Sequence, residues 1–191
     1  MKLTNDFYQR TDVVQIAREL LGKELITNID GELTSGIITE TEAYNGIVDR
    51  ASHAYGGKFT PRTQIMYAAG GVSYVYLCYG IHHLFNVVTN IEGVPHAVLI
   101  RNIKPLKGLE TILQRRNKTK ANNTLSTGPG TLSQALGIKT IHNGLLLQDN
   151  TIWIEDAGLK IDPENIKSTP RIGVDYAGED ALLPYRFVAN L

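Results

Sequence analysis

The sequence contains one cysteine, Cys78, among its 191 residues, so no disulfide can form within the chain. A lone cysteine is typical of proteins from a reducing compartment. Long apolar runs are also missing, because no stretch approaches the length of a membrane span. The segment Met1–Asp6 lacks the apolar core of a secretory signal. We therefore expect a cytoplasmic protein that does not contact a membrane.

Several catalytic motifs are absent as well. The five histidines include no His-x-x-x-His pair, and a single thiolate cannot build a zinc site. No Gly-x-Ser-x-Gly turn is present to hold a serine nucleophile, and no P-loop is present to bind a nucleoside triphosphate. The sequence thus disfavours metal-dependent hydrolysis, serine hydrolysis and nucleotide triphosphate chemistry. We expect neither a metal nor a cofactor.

Charge is balanced over the chain but unevenly distributed along it. The formal net charge is zero, and hydrophobic residues make up 42% of the chain, which fits one soluble domain over residues 1–191. Residues 93–148 nevertheless carry eight basic side chains and one acid. This segment predicts a surface for a polyanion, with Arg115 and Arg116 facing it. The alternative is a solvated basic helix and loop.

The hydrophobic pattern predicts an α+β fold with a curved, mostly antiparallel sheet. Asp30-Gly31 between two strand-like runs predicts a hairpin, and the Gly-rich loop 45–71 is long enough to be functional. Pro105 is expected to open a helix that ends at Arg115-Arg116. We further expect a helix over residues 13–21, a short helix over residues 131–136, and strands over 24–29, 32–44, 72–79, 84–89, 97–101, 145–147, 151–154, 171–174 and 185–188.

The strand that ends at Tyr44 is the first candidate for a functional site. Strand alternation places Ile38, Glu40, Glu42 and Tyr44 on one face, and carboxylates are rarely buried without a partner. Six of the nine tyrosines lie between Tyr44 and Tyr79. The pattern suggests a slot for a planar ligand beside an acid. The alternatives are acids on a solvated edge and tyrosines that pack in the core.

A set of ordered motifs resembles the alkyladenine (3-methyladenine) DNA glycosylase family. The resemblance extends from about Leu20 to the carboxyl terminus. It implies a single α+β domain around an antiparallel, partly barrel-like sheet with flanking helices. The motifs that carry it are Glu40–Tyr44, Ala51–His53, Gly56-Gly57, Thr60–Arg62, Tyr74–Gly80, Asn86, Gly128-Pro129 and Arg171–Val174.

The resemblance also implies roles for individual residues. Glu42 corresponds to the general base that activates water, and Arg101 and the carbonyl of Ile172 correspond to the groups that hold that water. The flipped base is expected to lie among Tyr44, His53 and Tyr76, with Asn86 crowding the 2-amino group of guanine. Tyr79 corresponds to the wedge that fills the emptied stack. Further DNA contacts are expected from Thr60, Arg62 and Gly128.

The implied activity is hydrolysis of the N-glycosidic bond of alkylated purines in duplex DNA. A base in a duplex must be extruded before chemistry can occur on it. An alkylated purine is cationic and leaves as a neutral base, so one carboxylate suffices. We expect a monomeric, monofunctional enzyme that does not cut the strand. The alternatives are a non-catalytic nucleic-acid-binding module with the same sheet and a hydrolase of free nucleosides, which the basic segment disfavours.

Overall fold

The computed structural model describes residues 1–122 and 124–190. In these residues a curled antiparallel sheet of eight strands forms a half-barrel, with the strand order β3-β4-β5-β2-β1-β6 and with β8 between β2 and β7. The predicted α+β class is therefore confirmed. The strands are β1 Glu24–Ile29, β2 Glu32–Tyr44, β3 Ser73–Cys78, β4 His82–Thr89, β5 His96–Lys107, β6 Ile152–Glu155, β7 Ile166–Thr169 and β8 Arg186–Ala189.

Four α-helices flank the sheet in the described residues. They are α1 Asn5–Tyr8, α2 Val13–Glu19, α3 Leu109–Arg115 and α4 Pro129–Leu136. The Asp12 side chain caps α2 by accepting a hydrogen bond from the Gln15 amide at 2.9 Å, as its position before the helix predicts. None of the helices in this part of the chain is long and apolar enough to cross a membrane.

The sheet has a core face and a cavity face. On the core face, apolar side chains of α2, α3 and α4 pack against the strands, and Ile16, Phe85 and Phe187 are completely buried there. On the cavity face, the loop 45–71 covers β3, β4 and β5 with a smaller cluster that includes Met66 and Tyr74. Because neighbouring residues of a strand point to opposite faces, the same strands supply both clusters.

A β-bulge in β2 corrects the predicted alternation. Thr39 has no partner in the register with β5, because Ile38 pairs with Ile103 and Glu40 pairs with Asn102. A bulge of this kind adds one residue and shifts the side chains after it to the other face. Ile38 therefore packs in the main core, whereas Glu42 lies on the cavity face.

Three other predicted elements were wrong. Pro105 lies in β5, where it pairs with Gly36, and helix α3 begins only after Gly108, which has a φ of +69°. Residues 171–174 form a turn in which Gly173 has a φ of +75°, a conformation that strands do not use. Residues 145–147 contribute one isolated bridge, between Leu146 and Val72.

Candidate active site

A cavity of about 580 Å³ opens on the cavity face of the sheet. Its floor is a single row of cross-strand partners, in which Tyr74 pairs with Asn86, Asn86 with Leu99, and Leu99 with Glu42. Four separate strands thus bring these side chains together. The alternation of each strand is sufficient to explain why they all point the same way.

The Glu42 carboxylate is fully buried in this row and is held by three donors. Oε1 accepts the Ile172 amide hydrogen at 2.9 Å and lies 3.3 Å from Nη1 of Arg101. Oε2 accepts the Tyr44 hydroxyl hydrogen at 2.8 Å. Glu42 is the acid that lines the cavity in the described part of the chain, and its buried charge is compensated as such a charge requires.

Arg101 is fixed in turn by a second carboxylate. Oε1 of Glu40 accepts hydrogen bonds from Nε of Arg101 at 2.8 Å and from Nε of Arg186 at 2.7 Å. Glu40 and Arg101 are both buried. The two acids and the two arginines form a neutral group in which Glu40 positions the guanidinium that faces Glu42.

A buried ion pair at the rim of the cavity joins the loop 45–71 to the turn at residues 171–174. Asp49 accepts hydrogen bonds from Nη1 and Nη2 of Arg171 at 2.5 and 2.8 Å, and both side chains are buried. Arg171 also donates to the Ala43 carbonyl at 2.9 Å, and its Cζ lies 4.8 Å from the centre of the Tyr44 ring. This contact places the Ile172 amide beside Glu42.

Aromatic side chains form one wall of the cavity. The His53 and Tyr76 rings meet edge to face, with centroids 4.8 Å apart, and Nδ1 of His53 lies 2.8 Å from the Tyr74 hydroxyl. Burial and the nearby charge of Arg62 lower the pKa of His53 to about 4. The imidazole is therefore neutral at physiological pH, so this wall presents flat, uncharged aromatic rings.

Asn86 and Tyr79 both line the cavity. Asn86 is buried on the cavity floor, where its amide donates to the Tyr74 carbonyl at 3.1 Å. Tyr79 lies at the tip of the β3–β4 hairpin with a φ of +52° and is 89% exposed. Its ring therefore projects from the hairpin tip at the edge of the cavity.

The remaining candidate residues lie at the rim or beyond it. Gly128 precedes α4 with a φ of +96° and lines the cavity together with Arg62. Thr60 does not line it. Thr60 forms reciprocal hydrogen bonds with Thr63 that close a turn of the loop 45–71, with distances of 2.9 and 3.2 Å.

The basic segment 93–148 does not form one exposed surface. Arg101 is buried beside the cavity, and Arg115 donates to Thr34 Oγ1 at 3.1 Å. Arg116 donates to the Leu125 carbonyl at 3.1 Å and to the Gln134 side chain. Arg115 and Arg116 do not line the cavity. The guanidinium groups of both arginines thus have partners within the protein, and a contact of either one with a polyanion stays a prediction.

Sequence reasoning missed the supporting residues rather than the central ones. Arg186 and Asp49 are distant in sequence from the groups they hold, and only the folded chain brings them there. Tyr176 also lines the cavity, and its hydroxyl donates to the Ala51 carbonyl at 3.1 Å. One signal for these supporting residues was available in the sequence. Glu40 lies two residues before Glu42, and this spacing placed both acids on the same face of the strand.

Comparison with known proteins gives the class. A family model described as methylpurine-DNA glycosylase matches residues 6–190. The match to this family model and the names of the relatives show that the chain is a DNA glycosylase, an enzyme of base excision DNA repair. The fold and the buried carboxylate agree with that class. More particularly, the chain belongs to the methylpurine-DNA glycosylase family.

Bacterial relatives match over nearly their whole length. A Chlamydia felis protein is 47% identical over 190 residues, which cover 99% of this chain and 96% of that protein. A Bacillus thuringiensis protein is 44% identical over an alignment 198 residues long, which spans 98% of this chain and 95% of that protein. Both carry the name "Putative 3-methyladenine DNA glycosylase". The resemblance noted in the motifs is thus confirmed at the level of the family.

Proposed function

We propose that this glycosylase hydrolyses the N-glycosidic bond of alkylated purines that have been flipped out of duplex DNA. The substrates are 3-methyladenine and 7-methylguanine, with hypoxanthine and ethenoadenine as neutral candidates. The reaction is monofunctional and leaves the strand uncut. One observation carries the proposal: a fully buried carboxylate, Glu42, lies on the floor of an aromatic cavity.

Glu42 acts in this proposal as the general base that takes a proton from water. A base must lie within hydrogen-bond reach of that water, and the donors around Glu42 leave its carboxylate facing the cavity. Arg101 compensates the charge, and the Ile172 amide fixes Oε1. The Ile172 carbonyl, on the same residue, is the expected second ligand of the water.

The flipped base stacks against Tyr44, His53 and Tyr76. Extrusion costs a few kcal/mol, and stacking on aromatic side chains returns roughly 1–3 kcal/mol per base. Tyr79 offsets more of the cost by filling the gap in the duplex. Asn86 on the cavity floor is the group that meets the 2-amino group of guanine and so disfavours the normal base.

One carboxylate is enough because the leaving group already carries the charge. Ordinary glycosidases need a second carboxyl group as an acid, whereas an N3- or N7-alkylated purine leaves as a neutral molecule without further protonation. Glu40 does not line the cavity and is engaged by two arginines. Strand cleavage through a Schiff base needs an amine, and no lysine lines the cavity in the described part of the chain.

Duplex DNA approaches across the loop 45–71 in this proposal. Residues 50–71 contain Arg50, Lys58 and Arg62 and no acid, and Asp49 is neutralised by Arg171. Arg50 and Lys58 line a second groove of about 560 Å³ that shares His53 with the active-site cavity. Arg62 and Gly128 supply contacts at the rim, and Thr60 supplies one from the loop. The enzyme works as a monomer on DNA in the cytoplasm.

The test is release of base from alkylated duplex DNA under single-turnover conditions. The wild-type protein should release 3-methyladenine and 7-methylguanine and leave the strand intact on a denaturing gel. Glu42→Gln should still bind the duplex, because the amide keeps the shape of the side chain. Its rate of base release should fall by roughly 10²–10⁴-fold or more, the contribution typical of a general base, because the amide cannot accept a proton from water.

The matched control is Glu24→Gln, another buried acid, which contacts Ser35 and Lys107 away from the cavity. This variant should excise at the wild-type rate. Release only from free nucleosides would favour a nucleoside hydrolase, and duplex binding without release would favour a non-catalytic module. Normal excision by Glu42→Gln would remove Glu42 from the mechanism.

A further inference from the structure

The Arg62 side chain lies against the aromatic wall at the rim of the cavity. Its Cζ lies 4.6 Å from the centre of the Tyr76 ring, and its Nη2 lies 3.2 Å from Nε2 of His53. Both Arg62 and Tyr76 line the cavity. A planar cation thus covers one aromatic wall while Arg62 as a whole remains exposed to solvent.

The contact with His53 fixes the tautomer of that residue. A guanidinium group only donates hydrogen bonds, so Nε2 of His53 accepts and the neutral ring carries its proton on Nδ1. That proton is donated to the Tyr74 hydroxyl, 2.8 Å away. Arg62 is therefore bound on two sides, by the Tyr76 face and by a lone pair of His53.

The ligand proposed for this cavity has the same chemical character as the guanidinium. An N3- or N7-alkylated purine is a planar cation, and planar cations bind to the face of a tyrosine. Two cations on one ring face repel each other, most strongly in a cavity from which water is partly excluded. Arg62 and a flipped base therefore cannot use this face of Tyr76 together.

We propose that Arg62 is an internal competitor of the flipped base. Its guanidinium holds the slot between the aromatic side chains in the free protein, and it must leave Tyr76 before a base can stack there. This inference rests on the proposed function, because it takes the cavity to be the pocket for a flipped purine.

A competitor of this kind lowers the apparent affinity for any base by the fraction of molecules whose cavity is open. One cation–π contact and one hydrogen bond favour the closed arrangement by about tenfold. Removing the guanidinium should therefore strengthen binding of a free base by about tenfold. A side chain that belonged to the base-binding wall would have the opposite effect when removed.

Titration of the protein with 3,9-dimethyladeninium, a free base that keeps the positive charge of the alkylated purine, followed by NMR, tests this directly. Arg62→Ala and Arg62→Gln should both bind the free base about tenfold more tightly than the wild type. Arg62→Gln keeps an amide donor near His53 and guards against collapse of the wall. The control is Arg10→Ala, which removes another arginine that lies over an aromatic ring, with Cζ 4.7 Å from the centre of Phe7 and outside the cavity, and the affinity of this variant should be unchanged.

The Nε–H resonance of Arg62 gives a second readout that needs no ligand. In the free wild-type protein it should be shifted by the Tyr76 ring current, and added base should move it towards its position in Tyr76→Leu. Equal or weaker base binding by both Arg62 variants would overturn the proposal while leaving the proposed function intact. If the base binds none of these proteins, the cavity is not a purine pocket and both proposals fall.

Discussion

The Tyr44 hydroxyl donates a hydrogen bond to Oε2 of Glu42 at 2.8 Å. The two residues lie two positions apart on β2, so strand alternation alone points both side chains into the cavity. Burial, and then the charge of Glu42, raise the pKa of Tyr44 well above its usual value. The hydroxyl therefore keeps its proton at physiological pH and remains a donor. Tyr44 thus holds the carboxylate in addition to forming part of the cavity wall.

Tyr44→Phe removes this donor and keeps the aromatic ring. We expect the single-turnover rate of base release to fall about 10- to 100-fold, because a hydrogen bond to a charged group contributes about 1.5–3 kcal/mol. Tyr8→Phe is the control, since the buried Tyr8 hydroxyl has no hydrogen-bond partner in the described part of the chain. Its rate should match the wild type. An unchanged rate in Tyr44→Phe would contradict a role for the hydroxyl.

Tyr79→Ser should weaken binding to a lesion-containing duplex without altering the cavity. The exposed ring supplies stacking worth about 1–3 kcal/mol, so the dissociation constant should rise roughly 5- to 150-fold in fluorescence anisotropy. On a single-stranded lesion, which has no gap to fill, the two proteins should bind alike. Ile141→Ser changes another exposed apolar residue and should affect neither substrate. Equal loss on both substrates would rule out the wedge.

The stability of the protein should depend on pH through His53. Its pKa is about 4 in the folded protein, below the usual 6.5, so between these values the unfolded chain binds more protons. The free energy of unfolding should therefore rise with pH across this window. The contribution is complete above pH 6.5 and is lost as the pH falls towards 4. Urea unfolding from pH 4.5 to 7.5 measures this slope, and His53→Gln should flatten it. The same slope in both proteins would be evidence against a buried, neutral His53.

Breaking the Asp49–Arg171 pair should destabilise the whole protein. Arg171→Met leaves the buried Asp49 carboxylate without its partner, which costs about 3–5 kcal/mol. The control is Arg10→Met, whose ion pair with Glu19 is partly exposed and should contribute only about 0–1 kcal/mol. Urea unfolding at pH 7 measures both. Equal losses in the two variants would mean that the Asp49–Arg171 pair is no more important than a surface contact.

Local rules predicted the parts of the site that lie on regular strands. Asn86 was a candidate only through the motif resemblance, whereas the Asp30-Gly31 hairpin, β3 and β4 follow from turn chemistry and β-branched runs. The central acid, Glu42, was likewise found from its strand and its aromatic neighbour.

The parts that failed depend on contacts between distant segments. The bulge at Thr39 has no signature in β2 alone and became visible only in the pairing with β5. Proline is a common first residue of a helix, but here the strand continues to Lys107. Pro105 pairs with Gly36, whose missing side chain permits the close approach of Ile103. Arg171 resembles the start of a strand, yet its partner is Asp49, 122 residues earlier.

The hydrogen bond from the Ile172 amide to Glu42 joins residues 130 positions apart, and this has a consequence for protein synthesis. Domains acquire structure as the ribosome delivers them, and β1 to β6 are complete by Glu155. Glu42 at that stage lacks the Ile172 amide, and Glu40 lacks Arg186 from β8. A nascent chain can therefore build β1 to β6 before the groups that hold Glu42 and Glu40 are in place. On the proposed mechanism, such a chain cannot yet excise a base.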